Sequence, residues 1–234
     1  MQVSVVIPCY NEAENIPLIL ERFSKAIGER EIAVVLVDNG SSDGSAEILA
    51  SLLPGYPFAR SVRVQVNQGY GYGILAGLRE ADSPYVGWTH ADMQTDPADI
   101  ARAYDTLAAD GFPADVYIKG KRKGRPLFDV FFTAGMSCFE TILTGRVLRD
   151  INAQPNLFPR AFFETWKNPP HDFALDLYAL YMAKGNGLRI VRFPVLFPER
   201  IHGQSKWNTG FASKWKFIKR TMAFSFQLKK GGIE

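Results

Sequence analysis

The chain has 234 residues, enough for one large domain with a substantial buried core. Hydrophobic residues make up 47% and charged residues 22%, which excludes an intrinsically disordered chain. A formal net charge of +3 is too small to argue for nucleic acid as a partner.

The first half alternates short β-rich runs with longer helical patterns, which predicts an α/β fold around a mainly parallel sheet flanked by helices. Val3 to Ile7 is a continuous apolar run stopped by Pro8, as a strand buried on both faces requires. Ile16, Ile19, Leu20 and Phe23 fall at helical spacing within 13–27. Ile32 to Val37 predicts a second strand ending at Asp38, and Ser42 or Asp43 can cap a helix running to Leu53. Val62 to Val66 predicts a third strand, followed by the glycine-rich turn Asn67–Gly73 and a helix to about Glu80. Tyr85 to Trp88 is a fourth strand, Pro97 opens the next helix, and Asp115 to Ile118 is a fifth strand.

The second half reads differently. A basic loop (120–126) leads to an aromatic helix (128–145), an irregular segment from Asp150 to Phe158, a helix over 171–184 and a strand pair around 188–198. The loop Arg200–Asn208 and a terminal helix finish the chain. No repeat or low-complexity linker interrupts it, so a single domain is expected. Residues 1–119 form its nucleotide half, 120–209 its acceptor half, and 210–234 a basic amphipathic helix. Two basic clusters, Lys119, Lys121, Arg122, Lys123 and Arg125, then Lys214, Lys216, Lys219, Arg220, Lys229 and Lys230, mark either solvated faces or a surface for anions or membrane. Cys9 and Cys138 lie far apart without metal-ligand spacing and read as reduced, buried thiols of a cytosolic protein. The start MQVSVVIPCYNE shows no basic leader or cleavage site, and no window approaches the ~18 apolar residues of a spanning helix.

In an open parallel sheet ligands bind beyond the carboxyl ends of the strands. Tyr10, Asn11 and Glu12 follow strand one, Asp38 and Asn39 strand two, Asn67 strand three, and His90, Asp92 and Gln94 strand four. These side-chain types suit a nucleotide. Tyr10 offers a face to a base, Asp38 an acceptor for a base N–H, and Glu12 an acceptor for a ribose or base donor. His90, Asp92 and Gln94, two residues apart, form a candidate set for one divalent ion. The competing reading is that Asp92 or Asp96 merely caps the helix opened by Pro97, and Asp96 is the better cap.

The stretches VVIPCYNEAENI, VDNGSSDGS, NQGYGYGILAGL and HADMQTDP together resemble the successive motifs of family 2 inverting glycosyltransferases with the GT-A fold. Within that family the chain is most similar to the dolichyl- or polyprenyl-phosphate sugar synthases, over roughly residues 3–208. The resemblance implies a Rossmann-like nucleotide-binding half, a UDP- or GDP-hexose donor, Mg²⁺ or Mn²⁺, and inversion at the anomeric carbon. Pro8, Gly69, Ala91 and Arg122 lie in the matched motifs and join Tyr10, Asn11, Glu12, Asp38, Asn67 and Asp92 in the expected nucleotide-sugar set. Two departures stand out. His90 occupies the first aspartate of the family's Asp-x-Asp motif, which suits Mn²⁺ better than Mg²⁺, and Asp38-Asn39 replaces an Asp-Asp pair.

On the acceptor side, Arg200-Ile201-His202-Gly203-Gln204-Ser205-Lys206 resembles the Arg-x-x-Gly-x-Ser-Lys loop of the polyprenyl-phosphate enzymes. Arg200, Ser205 and Lys206, with Arg122, are thereby implied as phosphate contacts. A phosphate acceptor is already ionised near neutral pH and needs a cationic clamp. A hydroxyl acceptor needs a carboxylate base, for which Asp172 is the candidate; Asp172 reads equally as a helix cap. Expected catalytic residues are therefore Asp92, Asp172, Arg200 and Lys206. Asp150 aligns with an aspartate before the acceptor motif, while Gln154-Pro155-Asn156-Leu157-Phe158 departs from the family's pattern. Phe211, Trp215, Ile218, Met222 and Phe226 form an apolar stripe flanked by lysines, suited to core packing or to a membrane interface. Three readings stay open: transfer to a polyprenyl phosphate peripherally at the cytoplasmic membrane face, transfer to a hydroxyl of a glycan or metabolite, and a nucleotide-sugar-binding module with weak catalysis.

Overall fold

The structure, a computed structural model, describes residues 1–124, 127–196, 198 and 211–229, without the side chains of 127–129, 132 and 211–218. Its centre is a seven-stranded sheet of order β3-β2-β1-β4-β6-β5-β7. The strands are β1 (Val3–Cys9), β2 (Ile32–Asn39), β3 (Ala59–Val64), β4 (Tyr85–Trp88), β5 (Val116–Lys123), β6 (Asn156–Pro159) and β7 (Arg189–Leu196). Strands β1 to β4 are mutually parallel where they pair, as is β5 with β7, and only β6 runs against its neighbours β4 and β5.

The period-two alternation of the strands sorts the core into two layers. Val3, Val5, Ile7 and Cys9 of β1, with Ile32, Val34 and Leu36 of β2, face one cluster. That cluster is closed by Ile16, Ile19, Leu20 and Phe23 of α1 (Asn15–Ile27) and by Ile100, Ala103 and Leu107 of α4 (Pro97–Ala109). Val6, Val35 and Val37 face the other side, against Ile74, Leu75 and Leu78 of α3 (Tyr70–Glu80). Helix α2 (Ser45–Leu52) ends in a 3₁₀ turn, Leu53–Gly55. Asp43 organises its start by accepting from the Ser45 amide (3.0 Å) and hydroxyl (2.5 Å). Asp96 caps α4 as expected, accepting from the Ala98 amide at 2.9 Å.

The structure departs from the sequence reading in one strand of the first half and at several points of the second. The third strand is Ala59–Val64 rather than 62–66, and Val66 is left exposed beyond it. Residues 120–123 of the expected basic loop are instead the outer half of β5, 125 and 126 lie outside the described residues, and Lys119 lies fully buried rather than on a charged face. The irregular segment hides β6, followed by the short helix α6 (Arg160–Glu164). The expected strand pair is the single strand β7, and the helix over 171–184 begins later, as α7 (Leu175–Gly185). Glycines explain how β6 enters the sheet: a Cβ at Gly87 would collide with the Asn156 carbonyl oxygen, and one at Gly120 with that of Gln154. Outside the sheet, α5 (Leu127–Thr144) packs against α8 (Phe211–Lys229).

Of the expected C-terminal stripe, Phe226 is exposed and Met222 half-buried, whereas Phe224 and Leu228 turn toward the core. The side chains of Phe211, Trp215 and Ile218 lie outside the described residues. Among the described residues no helix is long and apolar enough to cross a membrane.

Candidate active site

The carboxyl ends of the first four strands meet at one edge, and hydrogen bonds sew their loops together. The Asn11 amide donates to Ser41 Oγ at 3.1 Å, and Asn11 Oδ1 accepts from the Ser42 amide at 2.9 Å. The Glu12 amide donates to Ser45 Oγ at 3.1 Å, and the Ala13 amide to Asp43 Oδ2 at 3.1 Å. Asn11 has φ of 57°, a left-handed conformation that asparagine tolerates. Glu12 accepts from Asn15 Nδ2 at 2.6 Å, so its carboxylate is held at the start of α1. Tyr10 stands partly exposed beside this junction, while Pro8 is within β1 opposite Val37.

Asp38 supplies the sharpest ligand-directed feature. It is 2% exposed, and its Oδ1 accepts from the Ser41 amide at 2.9 Å. Its Oδ2 is buried without a hydrogen-bond partner, and the nearest cation is Arg63 Nε at 3.7 Å. A buried carboxylate oxygen left unsatisfied costs stability, so such an atom is usually reserved for a ligand donor. Arg63 was not singled out from the sequence. It sits directly opposite Asp38 in the β2–β3 ladder, a pairing that the sequence alone does not register.

Asn39 explains one departure from the Asp-Asp pattern. Its Nδ2 donates to the Gly69 carbonyl at 3.0 Å, which an aspartate cannot do. A Cβ at Gly73 would lie 2.8 Å from that nitrogen, so the glycine leaves room for the amide. Asn67 Oδ1 accepts from the Gly69 amide at 2.8 Å. Gly69 has φ of 116°, and a Cβ there would strike the His171 carbonyl oxygen. The glycine-rich turn thus docks on the loop before α7 as well as on the β2 end, with the Tyr72 amide donating to the His171 carbonyl at 2.9 Å.

His90, Ala91, Asp92 and Gln94 stand in a loop after β4, not on the strand, so alternation does not orient them. Asp92 and Ala91 are buried. Asp92 Oδ1 accepts from the Gln94 amide at 3.1 Å across Met93, whose φ is 60°. Gln94 Nε2 donates to the Pro198 carbonyl at 3.0 Å, and a side-chain amide coordinates a cation through its oxygen. The His90 imidazole stacks on Tyr70, with centroids 5.6 Å apart and planes at 26°, and Tyr70 stacks in turn on Phe173 at 4.7 Å and 14°. Both distances fall in the range of favourable ring pairs. Among the described residues no three His, Cys, Asp or Glu side chains converge on one point. One carboxylate, one imidazole and one amide oxygen make a sparse protein donor set, fitting a divalent ion whose other positions are taken by phosphate oxygens and water.

Behind Tyr70 lies a buried polar network that the sequence did not disclose. Lys119 Nζ donates to Asn156 Oδ1 at 2.6 Å and to the Ala153 carbonyl at 2.9 Å. Tyr117 Oη also donates to Asn156 Oδ1, at 2.9 Å. Asn156 Nδ2 donates to Gln154 Oε1 (2.6 Å), and Gln154 Nε2 donates to Asp176 Oδ1 (2.9 Å). Burial is the main cause lowering the Lys119 pKa to about 7, against a partial upward pull from Asp176. Burial, then the Asp176 and Asp92 carboxylates, push the Tyr70 phenol up, so it stays protonated.

The acceptor residues are only partly placed. Arg122 is engaged by Asp150, donating through its amide (2.8 Å), Nε (2.8 Å) and Nη2 (2.5 Å). Asp172 Oδ1 accepts from the Ala174 amide at 2.9 Å, and its Oδ2 pairs with Arg220 Nε at 2.9 Å. Arg200, Ser205 and Lys206 lie outside the described residues. Cys9 is buried as expected, which pushes its thiol up, whereas Cys138 on the outer side of α5 is exposed, against the expectation that both thiols are buried.

The chain is similar to known proteins in sequence and in fold. The undecaprenyl-phosphate 4-deoxy-4-formamido-L-arabinose transferase of Photorhabdus laumondii is 30% identical over 211 residues, covering 88% of this chain and 63% of the relative. The protein of that name from Edwardsiella ictaluri is 31% identical over 215 residues, covering 88% and 62%. The chain thus spans less than two thirds of these relatives' length. Among solved structures, the Mycobacterium tuberculosis glucosyl-3-phosphoglycerate synthase with Mn²⁺, UDP and glucosyl-3-phosphoglycerate superposes with a TM-score of 0.72 at 16% identity, over 98% of this chain and 80% of that one. A mannosyltransferase from Pyrobaculum calidifontis with GDP-Man and Mn²⁺ gives 0.66 at 20%, over 97% and 69%. These two share the fold, GT-A as expected from the motifs. The family described as Glycosyl transferase family 2 matches residues 4–136, from the first strand into α5, and this chain belongs to it.

Proposed function

We propose that this protein is a divalent-metal-dependent inverting glycosyltransferase that moves a sugar, expected to be a hexose, from a nucleotide-diphosphate donor to a polyprenyl phosphate at a membrane face. The observation that carries the donor side is the unpartnered, buried Asp38 Oδ2 beside Arg63. An acceptor atom next to a cationic donor matches the edge of uracil or guanine, where an N–H neighbours a carbonyl oxygen. Tyr10 offers a face to the same base. Asp92, His90 and Gln94 would hold the metal, which when bound neutralises the diphosphate as it leaves. The ring stack on Tyr70 keeps the imidazole from turning away.

For the acceptor, the state of Asp172 supports a phosphate. One of its oxygens accepts from the Ala174 amide in the turn before α7 and the other pairs with Arg220, so neither is presented as a base for a hydroxyl. Arg122, and by resemblance Arg200, Ser205 and Lys206, suit the clamping of an anion that is already nucleophilic. The relatives' names point to the same acceptor, undecaprenyl phosphate, and to a 4-deoxy-4-formamido-L-arabinose donor. The test is transfer of radiolabelled sugar from a panel of UDP- and GDP-hexoses, with nucleotide-linked aminopentoses included, onto undecaprenyl phosphate with Mn²⁺ or Mg²⁺. Chelator-sensitive label in the organic phase is expected, with Mn²⁺ the better ion. Released nucleotide without lipid label would move the acceptor to a hydroxyl, and no release from any donor would leave a binding module.

A further inference from the structure

Four groups from four separate parts of the chain stand in one series of contacts. Arg220 of α8 places its Cζ 5.9 Å from the centre of the Phe173 ring. Phe173 stacks on Tyr70 with centroids 4.7 Å apart and planes at 14°, and Tyr70 stacks on the His90 imidazole at 5.6 Å and 26°. Stacked rings attract, as does a guanidinium within about 6 Å of a ring. The C-terminal helix supplies one end of the series and the loop after β4 the other. An imidazole binds a cation along one direction, in its ring plane, and so has to be oriented; a ligating histidine is usually held by a hydrogen bond to its second nitrogen. The hydrogen bond described at His90 involves its carbonyl instead, which accepts from Thr95 Oγ1 at 3.4 Å. Among the described residues, the ring is therefore oriented by stacking.

Phe173 belongs to the irregular loop before α7, so its place depends on what holds that loop. On the donor side the Tyr72 amide donates to the His171 carbonyl at 2.9 Å, and Gly69 lacks the Cβ that would strike the same oxygen. On the other side one guanidinium brackets two neighbouring residues. Arg220 Nε pairs with Asp172 Oδ2 at 2.9 Å while the same group approaches Phe173. Arg220, Phe224 and Leu228 recur at four-residue spacing and share one face of α8. Leu228 is buried and Phe224 packs against the same cluster as Ile74, Leu75 and Leu78 of α3. The reach of Arg220 is thus set by how α8 seats on the domain.

We propose that α8 positions the metal ligand: Arg220 and Phe173, acting through Tyr70, hold the His90 imidazole in the orientation a divalent ion needs, and the seating of α8 and the binding of the ion favour each other. The inference rests on the reading of His90 as a ligand. Arg220 and Phe173 are positioning residues, since they act through another side chain. Coupling between two equilibria is reciprocal. The factor by which a seated Arg220 raises affinity for the ion is therefore the factor by which the ion stabilises the seated helix.

The experiment titrates Mn²⁺ into the full chain saturated with UDP. Calorimetry gives the affinity, and electron spin-echo spectroscopy of the bound Mn²⁺ reports whether an imidazole nitrogen is coordinated. The parent is expected to show that nitrogen. Phe173→Leu should weaken Mn²⁺ binding about five-fold and Arg220→Ala about three-fold, the sizes of one ring pair and one exposed cation–ring contact. The nitrogen signal should fall in both, and Phe173→Tyr, which keeps the ring, should restore the parent values. Mn²⁺ added to the parent UDP complex should slow amide hydrogen exchange over 219–229 about three-fold, an effect that Phe173→Leu should abolish. Parent affinity and nitrogen signal in both Phe173→Leu and Arg220→Ala overturn the proposal and leave the metal site standing. So does faster exchange of α8 in Arg220→Ala at parent Mn²⁺ affinity, which would make Arg220 a staple for the helix alone. Mn²⁺ bound to the parent without a nitrogen signal would remove His90 as a ligand and this proposal with it. No Mn²⁺ binding to the UDP complex would sink the proposed function as well.

Discussion

At the scale of single residues, the site is organised by what each polar atom lacks or completes. Asp38 gives one oxygen to its own loop, while the other is buried without a hydrogen-bond partner 3.7 Å from Arg63 Nε, the position the proposed base would use. Asn39 is an amide because the Gly69 carbonyl needs a donor. His90 is tolerable where a carboxylate is usual because an aromatic shelf, Tyr70 on Phe173, receives it. Tyr70 is thus a positioning residue. Tyr70→Leu, which removes the shelf, should weaken Mn²⁺ binding to the UDP complex about ten-fold, the size of one aromatic pair. Tyr70→Phe should stay within about two-fold, since it keeps the ring. Titration calorimetry reads both, and equal affinities for the leucine and tyrosine forms would rule the shelf out. Residue types at strand ends announced Asp38, Asn67 and Asp92. Arg63 was illegible because an edge strand with the pattern Ala-Arg-Ser-Val-Arg-Val alternates too weakly to fix its own register.

At the scale of elements, the antiparallel strand β6 and its buried network depend on each other. A strand of four residues ending in proline gives no periodic signal, and its register is set by Gly87 and Gly120 on the flanking strands. Those glycines were the available clue, since an isolated glycine in an apolar strand marks a close backbone approach. Lys119 was read as part of a charged face because Lys121, Arg122 and Lys123 follow it. The strand in fact runs through all of them, and only Lys119 turns inward to the Asn156 amide. Its pKa of about 7, against 10.5 for an ordinary lysine, ties stability to pH. Between those values the unfolded chain holds a proton that the folded chain has released, so stability should rise as pH climbs through that window. Lys119→Met should flatten that slope in urea unfolding followed from pH 7 to pH 10, whatever its effect at a single pH. An unaltered slope would show that the lysine stays protonated when buried.

At the scale of the whole molecule, the nucleotide half and the C-terminal helix are joined through the loop before α7. Gly69 and Tyr72 hold that loop from one side, and Arg220 holds Asp172 and approaches the Phe173 ring (5.9 Å) from the other. Asp172→Asn should therefore cost about 1 kcal/mol or less, as a partly exposed ion pair does, and leave turnover on a polyprenyl phosphate within about three-fold. A loss of about 100-fold at undiminished donor binding would instead make Asp172 the base for a hydroxyl. The order of strands and helices in the first half was readable throughout, because buried parallel strands and amphipathic helices carry opposite periodicities. The second half was not, since its strands pair with partners distant in the chain and its charges turn inward.

The place of β6 in the sheet also dictates an order of assembly during synthesis. Strands β1 to β4 can pair as soon as residue 88 has left the ribosome, for none of them needs a partner made later. Strand β5 emerges next but does not pair with β4, because the position between them belongs to a segment still being made. Until Asn156–Pro159 appears, the nascent chain carries two open strand edges and the exposed apolar side chains Phe131 and Ile142 of α5 at the same time. Such a species is prone to wrong pairing. A chaperone that shelters α5 over that interval would act on yield rather than on stability, and slower translation through 124–155 would lengthen the period of risk.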